Sequence, residues 1–327
     1  MSRPIPGGGA ARDGGPMRGG GATPTATVWA RERAGQMMLI AGHTWKEGLR
    51  RRMILVGFLL TAAFVALYGV GVYYAFRDMA AMTGGAQAGG VSLGALSIDQ
   101  NMIRDLAAYQ TLSFGLFISS FLSAMLVVFL ASGMISGDAE NGTLQTIVTR
   151  PIARIHILLG RYLGYATIYL AYLVLLAASL LLLTWVFSGY SPPSPVQSVV
   201  LLAMEGLIIL ALVSLGSAVL SPVATGVLVL MAYGLAFMGG VVQQIGILLS
   251  NGTAERIGAA VHYLIPSDAF FRMSLNGLAP PRSILSAFEN GPFGSPAPPT
   301  IGAVLFGVAY LVTCLAVAAY LFERRDI

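Results

Sequence analysis

Apolar residues along this 327-residue chain come in long unbroken blocks, without the alternation of a strand or the 3.6-residue period of a surface helix. Six such blocks run over roughly 53–76, 111–136, 162–188, 198–221, 225–249 and 301–322. At 1.5 Å per residue, each is long enough to cross about 30 Å of hydrocarbon. The pattern predicts an all-α, polytopic membrane protein with six transmembrane helices. Blocks four and five are joined by a few residues around Pro222, which predicts a tight turn between antiparallel helices, with a single re-entrant pair as the alternative.

Two pieces outside the blocks have helical pattern. In 34–52, Met38, Ala41, Trp45 and Leu49 recur at three and four, while His43, Lys46, Glu47 and Arg50 take the other face. This predicts an amphipathic helix in the membrane interface, with Trp45 at headgroup depth and Arg50, Arg51 and Arg52 toward anionic lipid. A plain stop-transfer flank is the simpler alternative. The second piece is the segment 137–161 between blocks two and three. Leu144, Ile147 and Val148 make a short apolar stripe opposite Thr143, Gln145 and Thr146, and Pro151 suits the first turn of a helix that runs on into block three. The pattern predicts a two-part helical hook with apolar side chains exposed at its tip, a feature that docks partners.

Composition agrees with a bilayer: 56% of residues are hydrophobic and 10% charged, against roughly a quarter charged in soluble domains. Mean hydropathy is +0.76. Residues 1–30 are rich in Gly, Pro, Ala and Thr without the apolar core of a signal peptide, which predicts a disordered cytosolic tail over 1–33 before a membrane domain over 34–327. Charge then sets orientation. With six spans and a cytosolic N-terminus, 14 of the 19 basic residues fall on the cytosolic side and 5 on the other. Both termini are therefore expected in the cytosol. The Arg, Gly and Ala bias points to a prokaryotic genome, hence the inner (plasma) membrane. Asn251-Gly252-Thr253 matches a glycosylation sequon, which in that setting reads as chance.

Several chemistries are excluded by residue type. Lys46 is the sole lysine, so no Walker A loop exists, and neither a nucleophile elbow nor a His-Glu-x-x-His zinc motif is present. Three scattered histidines and one cysteine, Cys314, draw no metal-ligand set and no intrachain disulfide. No basic cluster sits on a domain able to bind nucleic acid. The chain is thus expected to have no catalytic residues, no metal and no cofactor of its own. Glu205 is the one carboxylate well inside an apolar block, and Gln243 and Gln244 are the other strongly polar candidates for an intramembrane site. The alternative places Glu205 near the outer interface, a few residues into its span. Of the outer segments 77–110 and 251–300, the second holds an apolar stretch, Ile257 to Phe271, able to lie on the outer leaflet.

The hook carries a further pattern: Gly137-Asp138-Ala139-Glu140-Asn141-Gly142-Thr143-Leu144, then Arg150-Pro151-Ile152-Ala153-Arg154, then Leu158-Leu159-Gly160-Arg161. This resembles the ABC-2 type permease family, whose members read E-x-G-T-L, a Pro with basic residues, and L-L-G-K/R. Trp45-Lys46-Glu47 with the arginine run looks like the family's elbow helix. Leu264-Ile265-Pro266-Ser267-Asp268-Ala269-Phe270 resembles its Pro-[ST]-Asp segment, and Phe322 to Ile327 its C-terminal ending. The Pro-Ser-Asp segment and the long last outer loop look most like the branch that includes the nitrous-oxide reductase maturation permease. One departure is the turn near Pro222, which lacks the basic residues often found between helices four and five.

The resemblance implies a transporter of two permease chains, as homo- or heterodimer, and two separate P-loop ATPase subunits that bind ATP and Mg. The hook would be the coupling helix that fits a groove in the ATPase. There Glu140 belongs to the motif, Gly142 permits a tight start, Thr143 caps the helix, Leu144 and Ile147 are apolar anchors, and Arg150 or Arg154 pairs with acids on the partner, Pro151 dividing the hook. The expected function is the membrane subunit of an ATP-driven exporter. Two other classes compete: a self-sufficient ion-coupled transporter using Glu205, and a membrane scaffold without transport.

Overall fold

The computed structural model describes residues 42, 44–45, 52–86, 100–137, 154–280 and 298–324. Every regular element among them is a helix: α1 Arg52–Ala86, α2 Gln100–Ala131, α3 Arg154–Ser188, α4 Pro195–Val219, α5 Pro222–Leu248, α6 Gly252–Leu264, α7 Ser267–Asn276 and α8 Ile301–Arg324. Six of the eight are long and apolar enough to span a membrane, and they correspond one for one to the six apolar blocks. Their lipid-facing surfaces carry exposed Leu, Val and Phe in quantity, as a protein solvated by hydrocarbon requires.

The bundle is built around α2 and α4, the two most enclosed spans. Side-chain pairs give its directions. Tyr68 Oη meets Thr184 Oγ1 at 2.7 Å and Thr61 Oγ1 meets Tyr172 Oη at 2.6 Å, so α1 and α3 run parallel. Tyr162 donates to the Leu207 carbonyl at 3.1 Å and Tyr169 to that of Leu202 at 2.8 Å, so α3 and α4 run antiparallel. These tyrosines belong to a buried stripe, Tyr162, Tyr165, Tyr169 and Tyr172, spaced at three and four along α3. A Cβ at Gly206 would overlap the hydroxyl end of Tyr169, so the glycine is what lets that ring reach the α4 backbone.

The turn at Pro222 is as tight as expected. Only Leu220 and Ser221 separate α4 from α5, with Pro222 at the first helical turn and Ser221 capping Ala224 N at 3.4 Å. Each helix is long and apolar enough to span a membrane by itself, so the pair has the length of two full spans, and a shorter helical hairpin follows α5. A Schellman motif ends α5: the Asn251 amide reaches the Gly246 carbonyl at 2.8 Å and the Ser250 amide that of Ile247 at 3.2 Å, with Ser250 at φ 52°. Asn251 of the apparent sequon then caps α6, accepting from Thr253 N and Ala254 N.

Helix α6 runs back along α5, and at Gly239, Gly246 and Gly258 the two backbones approach so closely that a Cβ would collide. After a break at Ile265–Pro266, α7 returns, ending where a Cβ at Gly277 would strike Ser198 near the start of α4. At 13 and 10 residues, neither helix can cross a bilayer. The hairpin turns level with Gly240, about 12 Å below the end of α5. The stretch Ile257 to Phe271, expected on the leaflet surface, is therefore divided. Ile257 is exposed, whereas Phe270 and Phe271 are buried in the bundle. The Pro-Ser-Asp break turns the chain inward, and the apolar face of α7 packs on α4.

Candidate functional site

Two polar clusters and one hydrogen-bonded clasp occupy this apolar frame. The first cluster centres on Glu205, which is 3% exposed and lies ten residues into α4, about 15 Å from its start. The bundle encloses the carboxylate on this part of the helix. Ser120 of α2 donates to Glu205 Oε1 at 2.6 Å, and its Oγ also meets Tyr233 Oη of α5 at 2.9 Å. With the serine proton committed to the carboxylate, the tyrosine is the donor to serine, giving a relay from α5 through α2 to α4. Among the described residues no basic group pairs with Glu205.

The second cluster lies at the tip of the α6–α7 hairpin. Asp268 Oδ2 accepts from Arg272 Nε at 2.6 Å, one turn on, and meets His262 Nε2 at 2.8 Å, while Arg272 Nη1 donates to Gln244 Oε1 at 3.0 Å. Asp268 and Arg272 are both nearly fully buried. A Cβ at Gly240 would overlap both, so the glycine admits the ion pair against α5. Sequence reasoning placed Asp268 and Arg272 in an outer loop. They sit inside the bundle because the hairpin carries them there, and α5 and α6 supply partners that offset their desolvation.

The three expected intramembrane polar residues do not form one site. Gln244 belongs to the Asp268 cluster, and Gln243 packs its stem on Gly258. Tyr233, which marks the Glu205 cluster on α5, lies ten residues before Gln243, about 15 Å along the helix. Ser120 and Tyr233 were missed because a serine and a tyrosine carry no signal until tertiary packing brings them to Glu205. For the second cluster a signal existed: an Asp and an Arg at i and i+4 after a proline break pair on one helical face.

The clasp stands at the opposite end of the bundle. Helix α2 stops at Ala131 in a turn over 132–135, and helical geometry resumes at 136–137. Ser217 Oγ of α4 accepts from the amides of Ile135 at 2.9 Å and Ser136 at 3.3 Å. Arg161 of α3 donates to the Met134 carbonyl. The two roots of the 138–153 segment are thereby tied to each other and to α4. Of the expected coupling residues, Arg154 begins α3, whereas Glu140, Gly142, Thr143, Leu144, Ile147, Arg150 and Pro151 lie outside the described residues. In the elbow, Thr44 is buried and Trp45 packs on the core, which brings the indole onto the bundle. Lys46, Glu47, Arg50 and Arg51 lie outside the described residues, and Arg52 opens α1.

Six apolar spans, a short helical hairpin packed in one end and a braced loop root at the other define a polytopic membrane protein. The family description "ABC-2 family transporter protein" matches residues 38–327, and the chain belongs to that family. It is thereby an ABC permease subunit, and the family implies partnership with an ABC ATPase. No curated protein matches the chain significantly.

Proposed function

We propose that this chain is the membrane subunit of an exporter driven by a separate P-loop ATPase that docks on the 137–161 loop. The observation that carries the reading is the clasp. A docking segment transmits force only if its roots are rigid, and Ser217 and Arg161 hold both roots against α3 and α4. A Cβ at Gly133 would touch Pro222, so the same root also abuts the start of α5. Displacement of the loop would then be carried into α4 and α5, the helices that present Glu205 and Tyr233 to Ser120.

In this reading ATP and Mg bind on the partner, and this chain performs no hydrolysis. The bias of basic residues supports a cytosolic loop, cytosolic termini and an inner-membrane setting. A second permease copy completes the transporter, and the export direction follows the family analogy. The test is co-purification: a soluble P-loop ATPase should accompany the full-length chain and be lost in Leu144→Asp and Ile147→Asp. Variants that retain both partner and activity would remove the coupling assignment. The depth of Glu205 favours a second reading, ion-coupled transport by the chain alone. That reading requires gradient-driven transport in liposomes, lost in Glu205→Gln.

A further inference from the structure

Beside Glu205, α2, α3 and α4 leave a cavity of about 10 Å³, room for one water-sized particle. Its polar lining comes from Glu205 and from Ser119, Ser120 and Ser123 of α2, with Tyr169 and Leu176 among the walls of α3. Ser119 Oγ donates to the Gly115 carbonyl at 2.8 Å, and Ser120 Oγ donates to Glu205 while accepting from Tyr233, so Ser119 keeps two oxygen lone pairs for a further ligand and Ser120 one. Ser123 is 3% exposed, and its hydroxyl has no hydrogen-bond partner among the described residues. Among the described residues this hydroxyl has no partner and the neighbouring carboxylate no counter-charge, a costly combination in hydrocarbon; one small cation would neutralise the carboxylate and engage the hydroxyl's lone pairs.

We propose that this cavity binds a single small monovalent cation, with the Glu205 carboxylate as its charge partner and the three serine hydroxyls as neutral oxygen ligands. Hard oxygen donors and a one-particle volume suit a hydrated proton or a bare Na⁺ and leave no room for a hydrated metal ion. The site lies where α2, α3 and α4 meet, so its occupancy is linked to the packing of the helices that the loop root braces. The inference rests on the cavity and its lining, independently of the ATPase partner. The titratable groups that face Glu205 are Tyr169 from α3 and Tyr233 from α5, with Asp268 of α7 farther off and engaged by Arg272 and His262.

The test is thermal unfolding of the full-length chain in lipid nanodiscs, with Na⁺ exchanged for choline at constant ionic strength and, separately, across pH. A ligand bound by the folded state alone raises the midpoint by mass action. A saturable rise with Na⁺ that disappears in Glu205→Gln identifies Na⁺. A rise with falling pH that is indifferent to Na⁺ and disappears in the same variant identifies the proton, the variant separating it from the His262 cluster. Ser123→Ala, which keeps Glu205, should raise the half-saturating cation concentration about tenfold, the worth of one hydrogen bond to a charged group. Midpoints in wild type that respond to neither cation, or responses unchanged in both variants, would overturn the site.

Discussion

Replacing Asp268 by alanine should be among the most damaging single changes in the chain. The carboxylate is 4% exposed, and it neutralises a guanidinium that is 8% exposed and otherwise held by Gln244. Removing one partner of a buried pair costs about 3–5 kcal/mol, because the remaining charge stays buried without compensation. That is a large share of the 5–15 kcal/mol that holds a typical domain folded. Replacing both partners with apolar residues of similar volume, Asp268→Leu with Arg272→Met, removes the charge along with its partner and should restore most of the loss. The assay is denaturant unfolding in mixed micelles, read as a double-mutant cycle. Hydrogen exchange should place the loosening of Asp268→Ala in α6 and α7. A cost under about 1 kcal/mol, the level of an exposed pair, would refute the reasoning. So would a double variant as unstable as the sum of the singles.

Other expected outcomes follow from single contacts. Gly206→Ala pushes a methyl group onto Tyr169 and should destabilise by about 1–3 kcal/mol in the same unfolding assay. Ser250→Gly relieves a non-glycine residue at φ 52° and should stabilise by about 1 kcal/mol, since Gly pays no Cβ penalty there. Ser217→Ala, combined with Arg161→Gln, frees the loop root. It should leave the ATPase bound while lowering the coupling ratio of substrate moved to ATP hydrolysed, measured in proteoliposomes; an unchanged ratio would exclude the clasp from force transmission.

The frame of this protein was legible because span length is a one-dimensional signal: twenty-odd apolar residues have few uses other than crossing a bilayer. The hairpin was not. An apolar stretch such as Ile257 to Phe271 has the same pattern whether it floats on a leaflet or is sunk into a bundle. What decides is whether Asp268 and Arg272 find partners, and those come from Gln244 on α5 and His262 on α6. Glu205 stood out as a lone carboxylate in an apolar block, but its relay required Ser120 and Tyr233 from two other helices. Arg161 appeared in the sequence as part of a motif and a basic-residue count. Its bond to the Met134 carbonyl shows a role that neither reading contains.

The central claim is that the 137–161 loop is where an ATPase engages this permease. Site-directed cross-linking in native membranes tests it most directly, with Leu144→Cys or Ile147→Cys placed in a Cys314→Ser background so that the new thiol is unique. The account predicts that both positions cross-link to one soluble P-loop ATPase, identified by mass spectrometry, with a yield that changes when ATP is added. Cross-links to lipid or to this chain alone, in membranes where the protein still transports, would contradict it.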